Sequence, residues 1–336
     1  MTKVSIIILN YNGCRHTVDC LRSLAKISFV DYEIILYDNG SSDDTAQVVK
    51  KTFKHVRIIK IKQNVGYCKG TNDAYRYARG QYVLLLNNDT IVTKDFLTTL
   101  VRRMEEDPNN GIVQPKLIFQ KTKKLQAGCT FFTNTGFLYY FGHGKDPNEP
   151  KYNVPMQMHS VNGACTLVKR EVIEKIGLFD EDFFLYFEET DFCHRALLAG
   201  YKIWYEPKAV VYHLGGMDNS TYKYSQLVYN ATRNRLMSYL KNLEAHSLLK
   251  VLPVHLLLNI LSLFGFAILG KPENSLAVLK ALMYNVSHLR STWHKRVYVQ
   301  TQIRRLPDND FLPEVRRNPR LEYYTMLFNG LERYKD

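Results

Sequence analysis

Three short polar clusters, each directly following an apolar run, hold side chains that chemistry could use. Asn10-Tyr11-Asn12 follows Val4–Leu9, Asp38-Asn39-Gly40 follows Glu33–Tyr37, and Asn87-Asn88-Asp89 follows Tyr82–Leu86. Asp89 offers the hard oxygen that a divalent cation takes when it bridges a protein to a phosphate. The same Asn-Asn-Asp-Thr run also makes an ordinary turn. Asp38 offers a carboxylate that accepts an N–H from a nucleobase, or that closes an Asx-turn with Asn39-Gly40. A fourth cluster, Asn64 to Asn72, opens a helical pattern with Gly66, Lys69 and Gly70. That composition suits an anion, although it fits neither the P-loop nor G-x-G-x-x-G.

Later in the chain, Glu188, Glu189 and Asp191 stand close together, and His213 ends the run Ala209–Tyr212. On a helix, Asp191 and Arg195 stand four apart and can pair, with Glu188 on the same side. Glu189 is rotated about 100° from Glu188, so the adjacent acids cannot share a role. Either one is held by structure while the other moves a proton, or both serve the dipole at a helix start. His213 by itself reads as a structural imidazole or as a ligand.

The elements that must position these groups alternate. Val4–Leu9, Glu33–Tyr37, Val56–Ile61 and Tyr82–Leu86 read as strands. Arg15–Ala25, Asp44–Lys51, Thr71–Ala78 and Lys94–Glu106 read as helices, with Ser42 and Thr93 as N-caps. Strands separated by helices imply a mostly parallel sheet covered on both faces, and ligands of such sheets sit beyond the carboxyl ends of the strands. Residues 120–158 read as an irregular insertion bordering the site. Order resumes at Ser160–Val168 and in helices Glu171–Ile176 and Phe187–Ala199, the latter ended by Gly200. Ile203–Tyr205 and Ala209–Tyr212 read as two short strands, and beyond about residue 222 the pattern is helical.

A chain of 336 residues with 46% hydrophobic and 23% charged residues builds a globular core. Its net charge of +13 favours anionic partners or a solubilising surface. No zinc spacing, RNP-like segment or helix-turn-helix supports a nucleic-acid partner. Six scattered cysteines and a start without signal-peptide character point to reduced thiols in a cytoplasmic protein.

Taken in order, Val4 to Asn12, Asp38 to Asp43, Asn64 to Asn72 and Asn87-Asn88-Asp89 resemble the nucleotide-sugar half of the family 2 inverting glycosyltransferases, in the rhamnosyltransferase-like branch. The resemblance extends through Asn162-Gly163-Ala164 and Phe184 to Phe192, covering roughly residues 3–216. It implies an α/β GT-A fold, Rossmann-like, with a C-terminal helical extension. The catalytic domain would run over residues 1–220, with a nucleotide-sugar half (1–115) and an acceptor half (116–220), and residues 221–336 would form the amphipathic helical region. Asn10, Tyr11, Asp38, Gly66, Lys69, Asn87 and Asn88 would bind a UDP- or dTDP-sugar. Asp89 and His213 would hold Mg2+ or Mn2+, Gly163, Ala164 and Glu188 would face the acceptor, and Glu189 would be the base. The family's D-x-D element has Asn87 in its first position here, and Glu189 stands where Asp is commoner.

Val251–Gly270 is the most apolar stretch, long enough as a helix to reach across a bilayer, with His255, Asn259 and Ser262 forming one polar stripe. It would lie in a membrane interface, pack internally, or span. A second amphipathic pattern at Leu276, Leu279, Met283, Val286 and Leu289 precedes basic clusters at Arg290–Arg296, Arg304-Arg305 and Arg316-Arg317. Apolar faces beside basic groups suit the anionic inner leaflet of a cell membrane, and the resemblance implies a glycan or polyprenyl-linked acceptor there. A homodimer through these helices explains the apolar faces but not the charge. The competing enzyme is a sugar-nucleotide pyrophosphorylase, but Asn10-Tyr11-Asn12-Gly13 lacks the Gly-rich, Arg-containing loop expected of one. A catalytically inactive nucleotide-sugar-binding homologue is the other alternative.

Overall fold

The computed structural model describes residues 2–215 and 223–325. The expected domain boundary at residues 220 and 221 lies outside the described residues. Strands β1 (Val4–Asn10), β2 (Tyr32–Asn39), β3 (Val56–Ile61) and β4 (Tyr82–Asn87) alternate with helices α1 (Cys14–Leu24), α2 (Thr45–Thr52) and α3 (Tyr67–Tyr75). After β5 (Thr90–Val92) and α4 (Phe96–Glu105) come β6 (Asn110–Phe119), β7 (Leu125–Ala127), β8 (Thr130–Phe131), β9 (Tyr139–Tyr140) and β10 (Met156–Gln157). Then follow β11 (Cys165–Lys169), α5 (Arg170–Ile176), α6 (Glu188–Leu198) and β12 (Lys202–His213). The remainder is helical: α7 (Tyr224–Asn242), α8 (Ala245–Ile268), α9 (Pro272–Ser287), α10 (Leu289–Tyr298) and α11 (Asp308–Val315).

The main sheet runs in the order β10-β12-β6-β11-β4-β1-β2-β3, with β5 on β12 and β7 on β6. Pairs among β4, β1, β2 and β3 are parallel, as is β12 with β6, while β11 is antiparallel to both its neighbours. The apolar runs are continuous because both faces are covered. Val4, Ile6 and Ile8 pack with the core under α1 and α4, whereas Ile7, Ile35 and Val83 pack into the larger core on the other face.

The structure differs from the sequence-based expectations in several places. Ser42 is not a helix cap, because α2 begins at Thr45, where Asp43 Oδ1 takes both the backbone N–H and the hydroxyl. Thr93 does not cap α4 either; its hydroxyl is committed to Val210 O at 2.8 Å, joining the chain to β12. Helix α3 starts at Tyr67 rather than Thr71. The two short strands near residues 203 and 212 are one bulged strand, held straight by pairing with β6. Strand β6 lay unread between two expected features, and it carries Pro115 inside a nearly fully buried run.

Candidate functional site

The parallel register puts three exits side by side, with Asn10 opposite Asp38 and Leu9 opposite Asn87. Asn10 is fully buried, and its amide joins the exits. Its Nδ2 donates to Asp38 Oδ1 (3.3 Å) and Ser41 Oγ (3.1 Å), while its Oδ1 accepts from Thr17 (2.8 Å) and Asn88 (3.0 Å). A Cβ on Gly13 would stand 2.3 Å from the Asn88 amide, so only glycine lets that side chain reach in. Asn10, expected to touch a ligand, is buried and braces the exits, and Asn88, partly exposed, joins it through Nδ2. Asp38 is also buried, and its Oδ2 accepts no hydrogen bond, with the Lys60 ammonium 3.7 Å away. A buried carboxylate oxygen left this way is costly unless a donor completes it. Tyr11 beside it is half exposed.

Strand β5 was not anticipated, and it explains how residues 89 and 213 meet. After the Asn87–Asp89 turn the chain pairs antiparallel with β12, setting Thr90 opposite His213. His213 Nε2 stands 3.0 Å from Asp89 Oδ1, and its Nδ1 is 2.8 Å from Gln126 Oε1. In the tautomer that donates Nδ1–H to Gln126, Nε2 is left as an acceptor facing the carboxylate oxygen; in the other, Nε2–H donates to Asp89. In the first, the two facing acceptors are a donor set for a hard or borderline cation, with Gln126 orienting the ring. Among the described residues no third acid, histidine or cysteine joins them, so a cation there would draw its other ligands from phosphate and water.

The loop before α3 is tied to β2, where Asn39 Nδ2 donates to Asn64 Oδ1 and Gly66 O, both at 3.1 Å. Gly66, at φ +86°, lies under the Phe184 ring, 3.0 Å from where a Cβ would be. Lys69 does not stand free for an anion; it pairs with Asp73 at 3.2 Å and Glu181 at 3.8 Å. Tyr67 opposes Gly163, with its hydroxyl 3.8 Å from the position of a Cβ there. Ala164 O in turn accepts Asn87 N at 2.9 Å, so the acceptor-side pair is bonded to the exit of β4.

Helix α6 begins with Glu188 and Glu189 directly after Tyr186 and Phe187, both left-handed at φ +70° and +71°. Two consecutive bulky residues in that region are strained and need outside support. Asn234 of α7, fully buried, supplies it by donating to Leu185 O (3.1 Å) and Tyr186 O (2.6 Å). The Arg235 guanidinium lies 5.3 Å from the Phe187 ring centroid. Glu188 is buried, and burial followed by the charge of Glu189 pushes its pKa well above the carboxylate range. Glu189 remains partly open, yet its Oε2 is enclosed without a hydrogen bond, and burial raises its pKa to about 7. The two acids titrate as a pair, with the more enclosed one keeping its proton. Burial, followed by the charges of the two acids, pushes the Tyr67 hydroxyl well above the usual phenol range.

The expected pairing of Asp191 with Arg195 is present at 2.9 Å. Burial would raise the pKa of Asp191, but Lys241 at 3.1 Å and Arg195 outweigh it and hold it well below the usual range. Gln126, Asn234, Ser41 and Asp43 had not been singled out from the sequence. Each lies in a segment without periodic signal or on a long helix, and each acts through a contact distant along the chain.

The strand-exit site and the sheet together define a nucleotide-sugar transferase architecture. The sequence model of glycosyl transferase family 2 matches residues 5–177, and the chain belongs to that family. It is 28% identical over 243 residues to the low-salt glycan biosynthesis hexosyltransferase Agl10 of Haloferax volcanii, covering 70% of this chain and 75% of that one. It is 21% identical over 213 residues to the poly-β-1,6-N-acetyl-D-glucosamine synthase of Staphylococcus epidermidis, of which it spans half the length. Among solved structures, Staphylococcus aureus TarS 1–349 in complex with UDP-GlcNAc superposes with a TM-score of 0.58 at 19% identity, over 88% of this chain and 89% of that one. The Pyrobaculum calidifontis mannosyltransferase PcManGT with GDP-Man and Mn2+ gives 0.53 at 15%, over 89% and 84%. The chain is a glycosyltransferase with the GT-A fold.

Proposed function

We propose that the chain transfers a sugar from a UDP- or dTDP-sugar to an acceptor hydroxyl with inversion, on a lipid-linked or cell-surface glycan intermediate at the inner face of a cell membrane. The observation that carries this reading is the Asp89–His213 pair, a carboxylate oxygen and an imidazole nitrogen 3.0 Å apart at a strand exit, adjoining the incompletely satisfied Asp38 carboxylate. Asp38 takes an N–H of the base, and Tyr11 lies against it. Asp89 and His213 would hold a Mg2+ or Mn2+ ion, which when bound would supply positive charge to the diphosphate. Glu189, with its pKa raised to about 7, removes the proton from the acceptor hydroxyl as that oxygen attacks the anomeric carbon and the anomeric C–O bond breaks, the electron pair leaving with the nucleoside diphosphate. Glu188 remains protonated beside it and can donate a hydrogen bond to the acceptor. Asn10 and Asn88 hold the exits in register.

The relatives support the coarse reading: one is named for hexosyl transfer and another for N-acetylglucosamine polymerisation, and solved neighbours carry UDP-GlcNAc or GDP-mannose. The test is a thermal-shift screen of UDP, dTDP and GDP compounds with and without Mn2+, since ligand binding to the native state raises its stability. A cation-dependent shift with uridine or thymidine compounds, lost in Asp89→Ala, is the expected result. A shift with guanosine compounds alone would sink the pyrimidine assignment, and no shift at all would sink the transferase chemistry.

The outer faces of the C-terminal helices support the membrane placement. In α8 the polar stripe is turned inward: Val251, His255, Asn259, Ser262 and Phe266 are buried, while Leu257, Leu261 and Phe264 are exposed. Helix α9 buries Ala277, Val278 and Ala281 together with Asn274 and Asn285, and exposes Leu279, Met283 and Val286 beside Lys280. Helices that bury their polar side and expose their apolar side suit a surrounding more apolar than water. Helix α8, of 24 residues, is long and apolar enough to cross a membrane. The protein-bound stripe favours a helix lying on the surface.

A further inference from the structure

Strands β8 and β9 form a separate sheet of two residues on each strand, pairing Thr130 with Tyr140 and Phe131 with Tyr139. A hairpin that small does not hold its own shape. The segment that follows α11 lies along it. Phe132 N donates to Val315 O and Arg317 N to Phe132 O, both at 3.0 Å, and Asn134 N donates to Asn318 Oδ1 at 2.8 Å. The Arg317 guanidinium stands 4.2 Å from the Phe131 ring centroid. A 3-10 turn, Leu321–Thr325, then brings Tyr323 to β9. Tyr323 is fully buried, and its hydroxyl donates to Leu138 O at 2.8 Å while accepting the Tyr140 N–H at 3.0 Å. Its ring meets that of Tyr139 edge-on at 5.2 Å. One phenol thus fixes the backbone on both sides of Tyr139.

The residue held in this way faces the acid turn. Tyr140, partly exposed, lines a cavity of about 370 Å³ together with Tyr186, Tyr224 and Arg235. Tyr186 belongs to the left-handed turn that leads directly into Glu188 and Glu189. The Arg235 guanidinium lies 4.6 Å from the ring centroid of Phe137, in the hairpin loop, and 5.3 Å from that of Phe187, in the turn. Burial raises the Tyr140 phenol to about 12, with Arg235 and Glu189 acting on it in opposite directions, so it keeps its proton at neutral pH. The cavity falls in the size range of small-ligand sites, roughly 300–1,000 Å³. Phenol rings offer an apolar face to the C–H side of a pyranose and an O–H to its hydroxyls.

We propose that Tyr323 is a positioning residue for sugar transfer: it fixes the backbone of Tyr140, and Tyr140 on the cavity wall seats a sugar ring of the acceptor beside the turn that carries the two acids. Tyr323 itself touches no substrate. The seat rests on the transfer reading; the hold of Tyr323 on the hairpin is measurable without any substrate.

The test compares wild type with three variants of the full chain. Tyr323→Phe keeps the ring and removes both hydrogen bonds, and Tyr140→Phe removes the phenol that faces the cavity. Tyr324→Phe is the control, since its hydroxyl accepts from Thr135 Oγ1 at 3.2 Å rather than from β9. Hydrogen exchange followed by mass spectrometry should show the 138–141 amides exchanging at least tenfold faster in Tyr323→Phe than in wild type or the control. Unchanged exchange would overturn the hold. UDP-glucose and UDP-GlcNAc with Mn2+ are then turned over in water alone and with octyl β-D-glucoside or octyl β-D-N-acetylglucosaminide as acceptor. In Tyr323→Phe and Tyr140→Phe, kcat/KM for the octyl glycoside should fall at least tenfold more than donor hydrolysis does. The double variant should lose no more than either single one, because both act on one contact.

Equal losses in hydrolysis and transfer would make Tyr323 a residue of the fold alone. Losses that multiply in the double variant would separate Tyr323 from Tyr140. Octyl glycosides that do not raise wild-type donor turnover above hydrolysis would overturn the sugar seat. If Tyr323→Phe does not fold, full transfer by Tyr140→Phe overturns the proposal, and a loss confined to transfer supports it. Failure of the wild type to bind any nucleotide would defeat the transfer reading and leave the exchange result standing.

Discussion

Asp89 and His213, separated by 124 positions in the chain, bring a carboxylate oxygen and an imidazole nitrogen within 3.0 Å because β5 pairs with the last residues of β12. That register is the device: Thr90 faces His213, and Leu214 N donates to Asp89 O at 3.0 Å, so neither side chain can drift from the other. Replacing either partner should remove the cation-dependent part of nucleotide binding. Asp89→Asn and His213→Ala are each expected to lower kcat by about 10²- to 10³-fold, comparable to loss of a major electrostatic contact in a transition state. Gln126→Ala, which frees the Nδ1 side of the ring, should cost about 10- to 100-fold in metal affinity. Titration of Mn2+ into each variant in the presence of UDP checks this. Unaltered Mn2+ affinity in His213→Ala would remove the imidazole from the site.

The acid pair leads to a pH prediction. Burial raises Glu189 to about 7, above the usual carboxylate value, so its basic form is lost as pH falls through that value. Transfer rate should therefore rise with pH up to about 7 and then level. The same shift has a stability consequence of defined sign. The unfolded carboxyl ionises near its ordinary value while the folded one keeps its proton, so stability falls between about 4.5 and 7. Glu189→Gln should remove both effects, lowering kcat by about 10²- to 10⁴-fold with donor binding retained. A variant retaining near-normal transfer would disprove the base assignment.

Asp191 behaves in the opposite direction. Its carboxylate, bonded to Arg195, Lys241 and Asn242, is held below the usual range, so its stabilising contribution is complete at neutral pH and disappears as pH falls through the depressed value. Removing it leaves two buried cations without their shared partner. Asp191→Ala should then cost about 3–5 kcal/mol, measured by urea denaturation at pH 7. A loss under 1 kcal/mol would mean that the cations find other partners.

The fold of the first half was readable because its inner strands, such as Val4–Asn10 and Tyr82–Asn87, are covered on both faces and read as continuous apolar runs, while the partly exposed edge strand Val56–Ile61 keeps a short β-branched run. The polar residues ending those strands were readable for the same reason. What was not legible depends on contacts distant in sequence. Lys69, whose spacing suggested an anion site, is claimed by Asp73 and Glu181, the latter 112 positions later. Asn10, expected from its place as a ligand contact, has its amide engaged in the network that aligns the exits, and Asn88 joins that network through its Nδ2 while remaining partly exposed. Strand β6 was hidden because Pro115 argues against a central strand, yet the β11 ladder covers only Ile112 and Val113 and the β12 register shifts just past Glu206, opposite Pro115, so the missing N–H breaks no ladder. The left-handed turn at Tyr186-Phe187 has no glycine to announce it; Asn234, about 50 positions later, supports it.

That support gives a separate prediction. Asn234→Leu keeps the volume but removes the donors to Leu185 O and Tyr186 O, leaving the strained turn without its clamp. A loss of about 1–3 kcal/mol is expected from strained backbone and unpaired carbonyls. Activity should fall further than stability, because Glu188 and Glu189 directly follow the turn. The informative measurement is kcat at a temperature well below the melting point. If kcat is unchanged in a destabilised but folded variant, the clamp serves only the fold.

The inverted stripe of α8 yields the last expectation. His255, Asn259 and Ser262 are spent on contacts within the protein, including His255 Nδ1 at 3.0 Å from Thr135 O, so the exposed side of the helix is apolar almost throughout. Leu261→Glu with Phe264→Glu changes only that side and should leave the melting temperature within a few degrees. Partition onto vesicles containing anionic lipid should fall at least tenfold. Added salt should weaken wild-type binding only in part, since basic residues near the surface contribute about 1 kcal/mol each and the apolar face the remainder. If vesicle binding persists in the double variant, the face does not insert. If instead the wild type sediments as a dimer and the variant as a monomer, without lipid binding in either, the apolar side belongs to a second copy of the chain.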